Sequence, residues 1–123
     1  MKVLVDTSVW IDHFRAEKEI LADLLRHSRV LIHPLVVGEL ACGNLENRST
    51  VIGYLTDLPS SPVAKHDEVM EFIAMRKAYG KGVGYADMHL LASVILAPGV
   101  MLWSADKRLV RLAEDHDVSY KIH

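Results

Sequence analysis

The sequence lacks the features that mark several large classes of protein. Its only cysteine is Cys42, so no intramolecular disulfide can form, and a reducing, cytoplasmic location is expected. No apolar run approaches the ~18 residues that a membrane span needs, and Asp6 interrupts the first apolar stretch before it reaches the length of a signal peptide. Positive charge is not in excess, because 14 Lys and Arg face 16 Asp and Glu. This balance excludes a protein that coats nucleic acid through bulk positive charge.

The remaining composition is that of an ordinary globular protein. Hydrophobic residues make up 50% of the chain and charged residues 24%, which excludes intrinsic disorder. A length of 123 residues predicts one compact domain, spanning residues 1–123.

Short apolar runs alternate with helical patterns along the chain. Unbroken apolar runs of this kind are typical of strands buried on both faces of a parallel sheet. We therefore expect an α/β domain with three α/β/α layers and a short, mainly parallel central sheet. The expected strands are Lys2–Val5, 30–32 and Val100–Trp103, with a brief edge strand at 63–65 and a final strand at 118–120. The expected helices begin at Thr7 and Lys107 and span 17–27, 35–42, 46–58, 67–79 and 85–97.

Four acidic residues stand at positions that predict a shared site. Asp6 and Asp106 follow expected strands, and ligands of parallel sheets bind beyond the carboxyl ends of strands. Glu39 and Asp87 lie within apolar helical stretches, where burial of an acid is costly unless it is paired or binds a metal. Each acid comes from a different element, so only the fold can bring them together.

Each acid also has a simpler interpretation when it is taken alone. Asp6 can cap the helix that begins at Thr7, and Asp106 can stand at the positive end of the last helix. Glu39 can pair with a lysine or arginine on the helix surface. Asp87 is the hardest to explain in this way, since its neighbours are nearly all apolar. The coincidence of all four favours the shared site.

Carboxylates that lie together repel one another, and a hard divalent cation relieves the repulsion. Oxygen ligands select Mg²⁺ or Mn²⁺, which predicts metal-dependent phosphodiester hydrolysis. The seven histidines form no recognisable zinc pattern, and Ser8 and Ser104 lack a nucleophile-elbow motif. Lys107, Arg108 and Arg111 follow Asp106 and either contact a phosphate or form a solvated helix face.

Four segments in this order resemble the PIN-domain ribonucleases, and more narrowly the VapC toxins of bacterial toxin–antitoxin pairs. They are VLVDTSVW (3–10), VGEL (37–40), YADMHLLA (85–92) and LWSAD (102–106). The resemblance implies a PIN-like fold and an Mg²⁺ site, with Mn²⁺ as a substitute, that cleaves single-stranded or loop RNA. It assigns catalysis to Asp6, Glu39, Asp87 and Asp106. Asp6 and Asp87 are the expected direct metal ligands, while the other two acids act through water or a second ion.

The resemblance also implies supporting residues and partners. Thr7 or Ser8 orients Asp6 or a water, and Ser104 stands where the family has a threonine before its last acid. The family often has acidic or aromatic residues after that acid, whereas this chain has Lys107 and Arg108. A cognate antitoxin, a homodimer and no membrane association are expected.

Two other functional classes remain open at this point. A phosphoacceptor signalling domain has a similar length and an acidic Mg²⁺ pocket, but it needs paired acids after the first strand, where this chain has only Asp6. A catalytically inactive binding module is the second alternative, and the presence of all four acids is evidence against such decay.

Overall fold

The computed structural model describes residues 1–122 and shows a three-stranded parallel sheet in the order β2-β1-β3. The strands are β1 (Lys2–Val5), β2 (Val30–Leu31) and β3 (Val100–Trp103). The helices in the described part of the chain are α1 (Thr7–Arg15), α2 (Glu19–Arg26), α3 (Pro34–Ala41), α4 (Arg48–Asp57), α5 (His66–Met75), α6 (Tyr85–Ile95) and α7 (Lys107–Asp115). None of these helices is both long and apolar enough to cross a membrane.

The central strand β1 is covered on both faces. Val3, Leu4 and Val5 are consecutive, so their side chains point alternately to opposite faces of the sheet, and all three have 0% exposure. Both faces therefore carry helices, which confirms the predicted α/β class with three layers.

Three local predictions differ from the structure. The helix expected over 67–79 ends at Met75, because Lys77 adopts a left-handed conformation (φ 52°) and the Ala78 amide bonds back to the Ile73 carbonyl. This reversal buries Ala78, as in the common C-terminal helix motif with a left-handed residue.

The two minor strand predictions were also inaccurate. Residues 63–65 form no strand, and the edge contact with the β2 side of the sheet is instead a single bridge between Ser60 and Ile32. The strand expected at 118–120 is reduced to one bridge between Ser119 and Leu102. In both bridges the two chain segments run parallel to each other, and each bridge extends one edge of the sheet by one residue pair.

The sheet brings the ends of β1 and β3 together. Val5 is in register with Trp103, and the Asp6 amide donates to the Trp103 carbonyl at 2.8 Å. Strand order also reverses at β1, since β2 lies on one side and β3 on the other. Parallel sheets bind ligands at such switch points, beyond the carboxyl ends of the strands.

Candidate active site

Asp6 is a buried carboxylate held by two hydroxyls. It is 4% exposed, and its Oδ2 accepts hydrogen bonds from Ser8 Oγ at 2.7 Å and from Ser104 Oγ at 2.8 Å. Asp6 occupies the N-cap position of α1, yet its side chain makes no capping bond. Helix capping therefore does not account for this acid. Within residues 1–122, its Oδ1 receives no hydrogen bond from the protein.

The two serines have a fixed direction of hydrogen bonding. Ser8 Oγ accepts from the Ala105 amide at 3.0 Å, and Ser104 Oγ accepts from the Asp106 amide at 3.0 Å. Since a backbone N–H can only donate, each hydroxyl proton is free for Asp6. This network ties the start of α1 to the loop after β3.

Glu39 is oriented by a different hydroxyl. Thr7 Oγ1 donates to Glu39 Oε1 at 2.8 Å, which joins the start of α1 to the second turn of α3. In the described chain Glu39 forms no ion pair with a lysine or arginine. The roles of the two hydroxyls after Asp6 are thus divided: Ser8 contacts Asp6, and Thr7 contacts Glu39.

The two carboxylate oxygens of Asp106 have different surroundings. Its Oδ1 accepts from the backbone amides of Arg108 at 2.9 Å and Leu109 at 3.2 Å, so the side chain caps α7. Through Oδ1, Asp106 therefore has the role of a residue that stabilises the start of the last helix, as the simpler interpretation predicted. The side chain is exposed, and Oδ2 receives no hydrogen bond in the part of the chain that the structure describes.

Asp87 shows that the four acids share one electrostatic environment. It lies in the first turn of α6 and is partly buried. Burial, followed by the negative charges of Asp6, Glu39 and Asp106, raises the pKa of Asp87 to about 6. The fold thus places the Asp87 carboxyl within electrostatic range of the three other acids, which the sequence places on separate elements.

The donors at this site fit a hard cation in chemical type. They are carboxylate oxygens supported by hydroxyls, and oxygen ligands are those that Mg²⁺ and Mn²⁺ prefer. Across residues 1–122, no three His, Cys, Asp or Glu side chains lie close enough to enclose one ion. Ion binding would therefore require these side chains to move closer together, and a cation would offset the repulsion between their charges.

A cluster of aromatic side chains joins α5 to α6 and was not anticipated from the sequence. The hydroxyl of Tyr85 is hydrogen-bonded to His66 Nδ1 and, at 2.8 Å, to His89 Nε2. We call these three residues the tyrosine clamp. The i,i+4 spacing of Tyr85 and His89 was a usable signal for their contact, but nothing in the sequence connects them to His66.

A neighbouring histidine has a structural role. His33 is 1% exposed, and its Nδ1 accepts from the Leu35 amide at 3.1 Å, which caps α3. Burial, assisted by the nearby His89, lowers the pKa of His33 to about 4. His33 is therefore a neutral residue of the core at ordinary pH.

A groove between α7 and the loop before α6 carries unpaired positive charge. Lys81, Arg108 and Arg111 line it together with Asp115, and none of the three cations forms an ion pair among the described residues. Arg108 is packed against Gly82, where an added Cβ would lie 2.7 Å from Arg108 Cδ. Gly82 also has a positive φ of 76°, so the glycine both forms the turn and leaves room for the arginine.

Comparisons with known proteins agree with this architecture. The family model described as PIN domain matches residues 3–115, a range that contains all four acids. Ribonuclease VapC32 of Mycobacterium tuberculosis, from strain CDC 1551 / Oshkosh and from strain ATCC 25618 / H37Rv, is 46% identical to this chain over 107 residues. The match covers 87% of this chain and 86% of each relative.

A solved structure shows the same fold. The structure of VapBC-1 from nontypeable Haemophilus influenzae contains a chain that superimposes with a TM-score of 0.69 at 16% identity. The superposition covers 98% of this chain and 97% of the other. This match shows the fold, while the family match and the 46% identity confirm the resemblance seen in the sequence: the chain belongs to the PIN-domain family, in its VapC branch.

Proposed function

We propose that this protein is a metal-dependent endoribonuclease that hydrolyses RNA phosphodiester bonds and serves as the toxin of a toxin–antitoxin pair. The observation that carries the proposal is the electrostatic coupling of Asp87 to Asp6, Glu39 and Asp106, whose negative charges add to burial in raising its pKa. The 46% identity to a ribonuclease supports the reaction class. PIN-domain ribonucleases of the VapC type are generally metal-dependent, and the oxygen donors favour Mg²⁺, with Mn²⁺ as a substitute.

Asp6 and Asp87 are the proposed direct metal ligands. Ser8 and Ser104 both donate to Asp6 Oδ2, which fixes the carboxylate and leaves Oδ1 for the ion. The pKa of Asp87 is raised, and a cation bound nearby would lower it again because a positive charge stabilises the ionised carboxylate. When bound, the divalent ion offsets the four negative charges, polarises the phosphate and lowers the pKa of water.

Glu39 and Asp106 fit indirect roles. Thr7 holds Glu39 at the rim of the site, where its exposed carboxylate can position a water molecule or accept a proton. Asp106 uses Oδ1 to cap α7, so only Oδ2 remains for the reaction. Both residues therefore act through water or a second ion in this proposal.

The basic groove supplies a path for the RNA backbone. Arg108 lies two residues after Asp106, and Lys81 lies on the loop that leads into the helix of Asp87. Unpaired cations near an acidic site counteract its repulsion of phosphate. In a plot of the logarithm of RNA affinity against the logarithm of salt concentration, Arg108→Gln should make the slope shallower by about one unit. Arg15→Gln, at an exposed residue outside the groove, is the control and should leave the slope unchanged.

The proposed protein partners are a cognate antitoxin and a second copy of the chain. The solved structure with the same fold is that of a VapBC pair. On this chain, Ile11 and Phe14 of α1 are each 40% exposed and offer apolar surface for such contacts. Gel filtration of the purified chain, alone and co-expressed with a candidate antitoxin, would test both assignments.

The direct test of the reaction is cleavage of RNA. The purified chain is incubated with total RNA in Mg²⁺, Mn²⁺, Ca²⁺ or EDTA, and the new ends are mapped. We expect specific ends with Mg²⁺ or Mn²⁺, few with Ca²⁺, whose looser coordination positions water poorly, and none with EDTA. Full cleavage in EDTA would overturn the proposal.

Two further assays, phosphorylation by acetyl phosphate and retention of RNA, separate the two alternative classes from a nuclease. A phosphoacceptor domain would become phosphorylated on Asp6 by acetyl phosphate and would leave RNA intact. A binding module would retain RNA without cutting it in any metal. The structure offers a single acid directly after β1, with hydroxyls at the next two positions, which is unfavourable for the phosphoacceptor alternative.

A further inference from the structure

The tyrosine clamp brings two imidazole nitrogens to one phenol oxygen. The Tyr85 hydroxyl is hydrogen-bonded to His66 Nδ1 and lies 2.8 Å from His89 Nε2. The hydroxyl has a single proton, so it can donate to only one of these nitrogens, and the other nitrogen must carry a proton of its own. Protons on three strong donor atoms therefore hold α5 and α6 together at this point.

The packing of the three rings holds these donor atoms in place. The ring of Tyr85 lies 4.7 Å from the ring of His89, centroid to centroid, with the two planes at 90°. It lies 5.4 Å from the ring of His66. Tyr85 and His89 are i,i+4 neighbours on α6, and His66 is the first residue of α5. Because the side chains are already ordered, a ligand that binds all three loses little affinity to side-chain ordering.

The clamp differs from the surroundings of the other histidines. His27 Nδ1 and His116 Nδ1 each bond to a backbone carbonyl of their own helix. In residues 1–122, no other atom is hydrogen-bonded to two histidines. His66 and Tyr85 are both exposed, so a small ion can reach the clamp from the solvent.

The donor atoms of the clamp select a different class of ion from that of the acids. Imidazole nitrogens suit Zn²⁺, Cu²⁺ and Ni²⁺, whereas Mg²⁺ prefers oxygen ligands alone. Zinc binds imidazole nitrogen at about 2.0–2.1 Å in a tetrahedral site, whose donor atoms lie roughly 3.3 Å apart. His89 Nε2 and the Tyr85 oxygen are 2.8 Å apart, so these two atoms need to separate by roughly half an ångström. Rotation of exposed side chains can supply a movement of this size.

We propose that the tyrosine clamp binds one divalent transition-metal ion of the zinc and copper type, with His66 Nδ1, His89 Nε2 and the Tyr85 oxygen as ligands and water as the fourth. On binding, the Tyr85 hydroxyl releases its proton to the solvent and becomes a phenolate. The histidine that carried a proton on its ligating nitrogen holds it on the other ring nitrogen instead, so one proton is released for each ion. The site contains none of the four acids and is independent of the proposed nuclease function.

The test is a metal titration of the full chain in saturating Mg²⁺, which occupies the acids. Cys42 is an exposed thiol that binds the same ions, so every protein carries Cys42→Ser. Zn²⁺ affinity is measured by competition with a coloured chelator, and Cu²⁺ is added to detect the visible charge-transfer band of a phenolate ligand. We expect one ion per chain and release of one proton. His66→Ala should weaken Zn²⁺ binding roughly tenfold or more, and Tyr85→Phe should also lose the Cu²⁺ band and the proton release.

The matched control is His27→Ala, at an exposed histidine of another helix, which should bind Zn²⁺ like the parent protein. Equal Zn²⁺ affinity for His66→Ala and His27→Ala would overturn the inference, as would a Cu²⁺ band that persists in Tyr85→Phe. Loss of Zn²⁺ binding in Asp6→Asn would assign the ion to the acids and would overturn it too. Thermal melts show whether each variant is folded. If Tyr85→Phe is not, the comparison between His66→Ala and His27→Ala decides the outcome.

Discussion

Asp6 and Asp106 follow adjacent parallel strands and each precedes a helix, yet their surroundings differ. Asp6 is buried, is held by the hydroxyls of Ser8 and Ser104, and leaves the start of α1 uncapped. Asp106 is exposed and caps α7 with one oxygen. Two acids at similar positions therefore differ in role. Asp6 has no part in helix capping, whereas Asp106 uses one of its two oxygens to cap α7. The difference arises from long-range contacts, since Ser104 lies 98 residues from Asp6.

Removal of the charge at Asp6 should have the largest effect. Asp6→Asn keeps an oxygen acceptor for the two serines but loses the negative charge proposed to bind the ion. We expect RNA cleavage to fall to the level of the wild type in EDTA. Asp57→Asn, at an exposed acid on α4, is the control and should cleave normally. Wild-type cleavage by Asp6→Asn would show that this carboxylate is not a ligand.

Asp106 allows the charge and the cap to be separated. Asn caps helices as well as Asp does, so Asp106→Asn should melt like the wild type, whereas Asp106→Ala should lose ~1 kcal/mol of stability in EDTA. Both variants should cleave RNA more slowly, but with residual activity, because the proposed role of this acid is indirect. If Asp106→Asn retains full activity, the charge of Asp106 is not part of the site.

Ser104 should have a smaller effect than either acid. Ser104→Ala removes one hydrogen bond to the Asp6 carboxylate, worth ~1.5 kcal/mol, or roughly a tenfold loss in rate. Ser104→Thr keeps the hydroxyl and should remain close to the wild type. A loss in Ser104→Ala as great as that in Asp87→Ala, which should abolish cleavage, would give Ser104 a direct role in the reaction.

The smallest expected effect is a slope of stability with pH. The folded pKa of Asp87 is raised from 3.8 to about 6, so the folded protein holds this proton more tightly than the unfolded chain. In EDTA, the free energy of unfolding should therefore fall as pH rises from about 4 to about 6, and this contribution should then stay constant. Since Asp87 is only partly buried, solvent screening reduces the change to ~1 kcal/mol.

Asp87→Asn is the matched variant for this slope. It should lack the Asp87 contribution while keeping those of the other acids, so the difference between the two proteins isolates Asp87. Denaturant unfolding at intervals between pH 4 and pH 7 measures that difference. Equal pH dependence in the two proteins would contradict the raised pKa.

The fold class and the acids could be predicted because their signals are local. Apolar runs such as Val3 to Val5 indicate buried parallel strands, and Asp87 stands out among apolar neighbours. It could not be predicted that Thr7 bonds to Glu39 and Ser8 to Asp6, because this depends on where α3 places Glu39. The tyrosine clamp depends likewise on the packing of α5 against α6.

The end of α5 shows a limit of a different kind. The apolar pattern continues as far as Tyr79, but the left-handed Lys77 stops the helix at Met75. A lysine gives no local indication of such a conformation, which glycine or asparagine would have indicated.

The most direct measurement of the central claim, that the four acids form a cation site, is a set of thermal melts of the wild type, Asp87→Asn and Asp57→Asn in EDTA and in saturating Mg²⁺. In EDTA, Asp87→Asn should be as stable as the wild type or more stable by ~1 kcal/mol, because it removes one of four repelling charges. In Mg²⁺ the wild type and Asp57→Asn should gain stability from ion binding, while Asp87→Asn should gain little and become the least stable. A clear loss of melting temperature by Asp87→Asn in EDTA would contradict the account, since it would mark Asp87 as a structural acid that the fold requires without a metal.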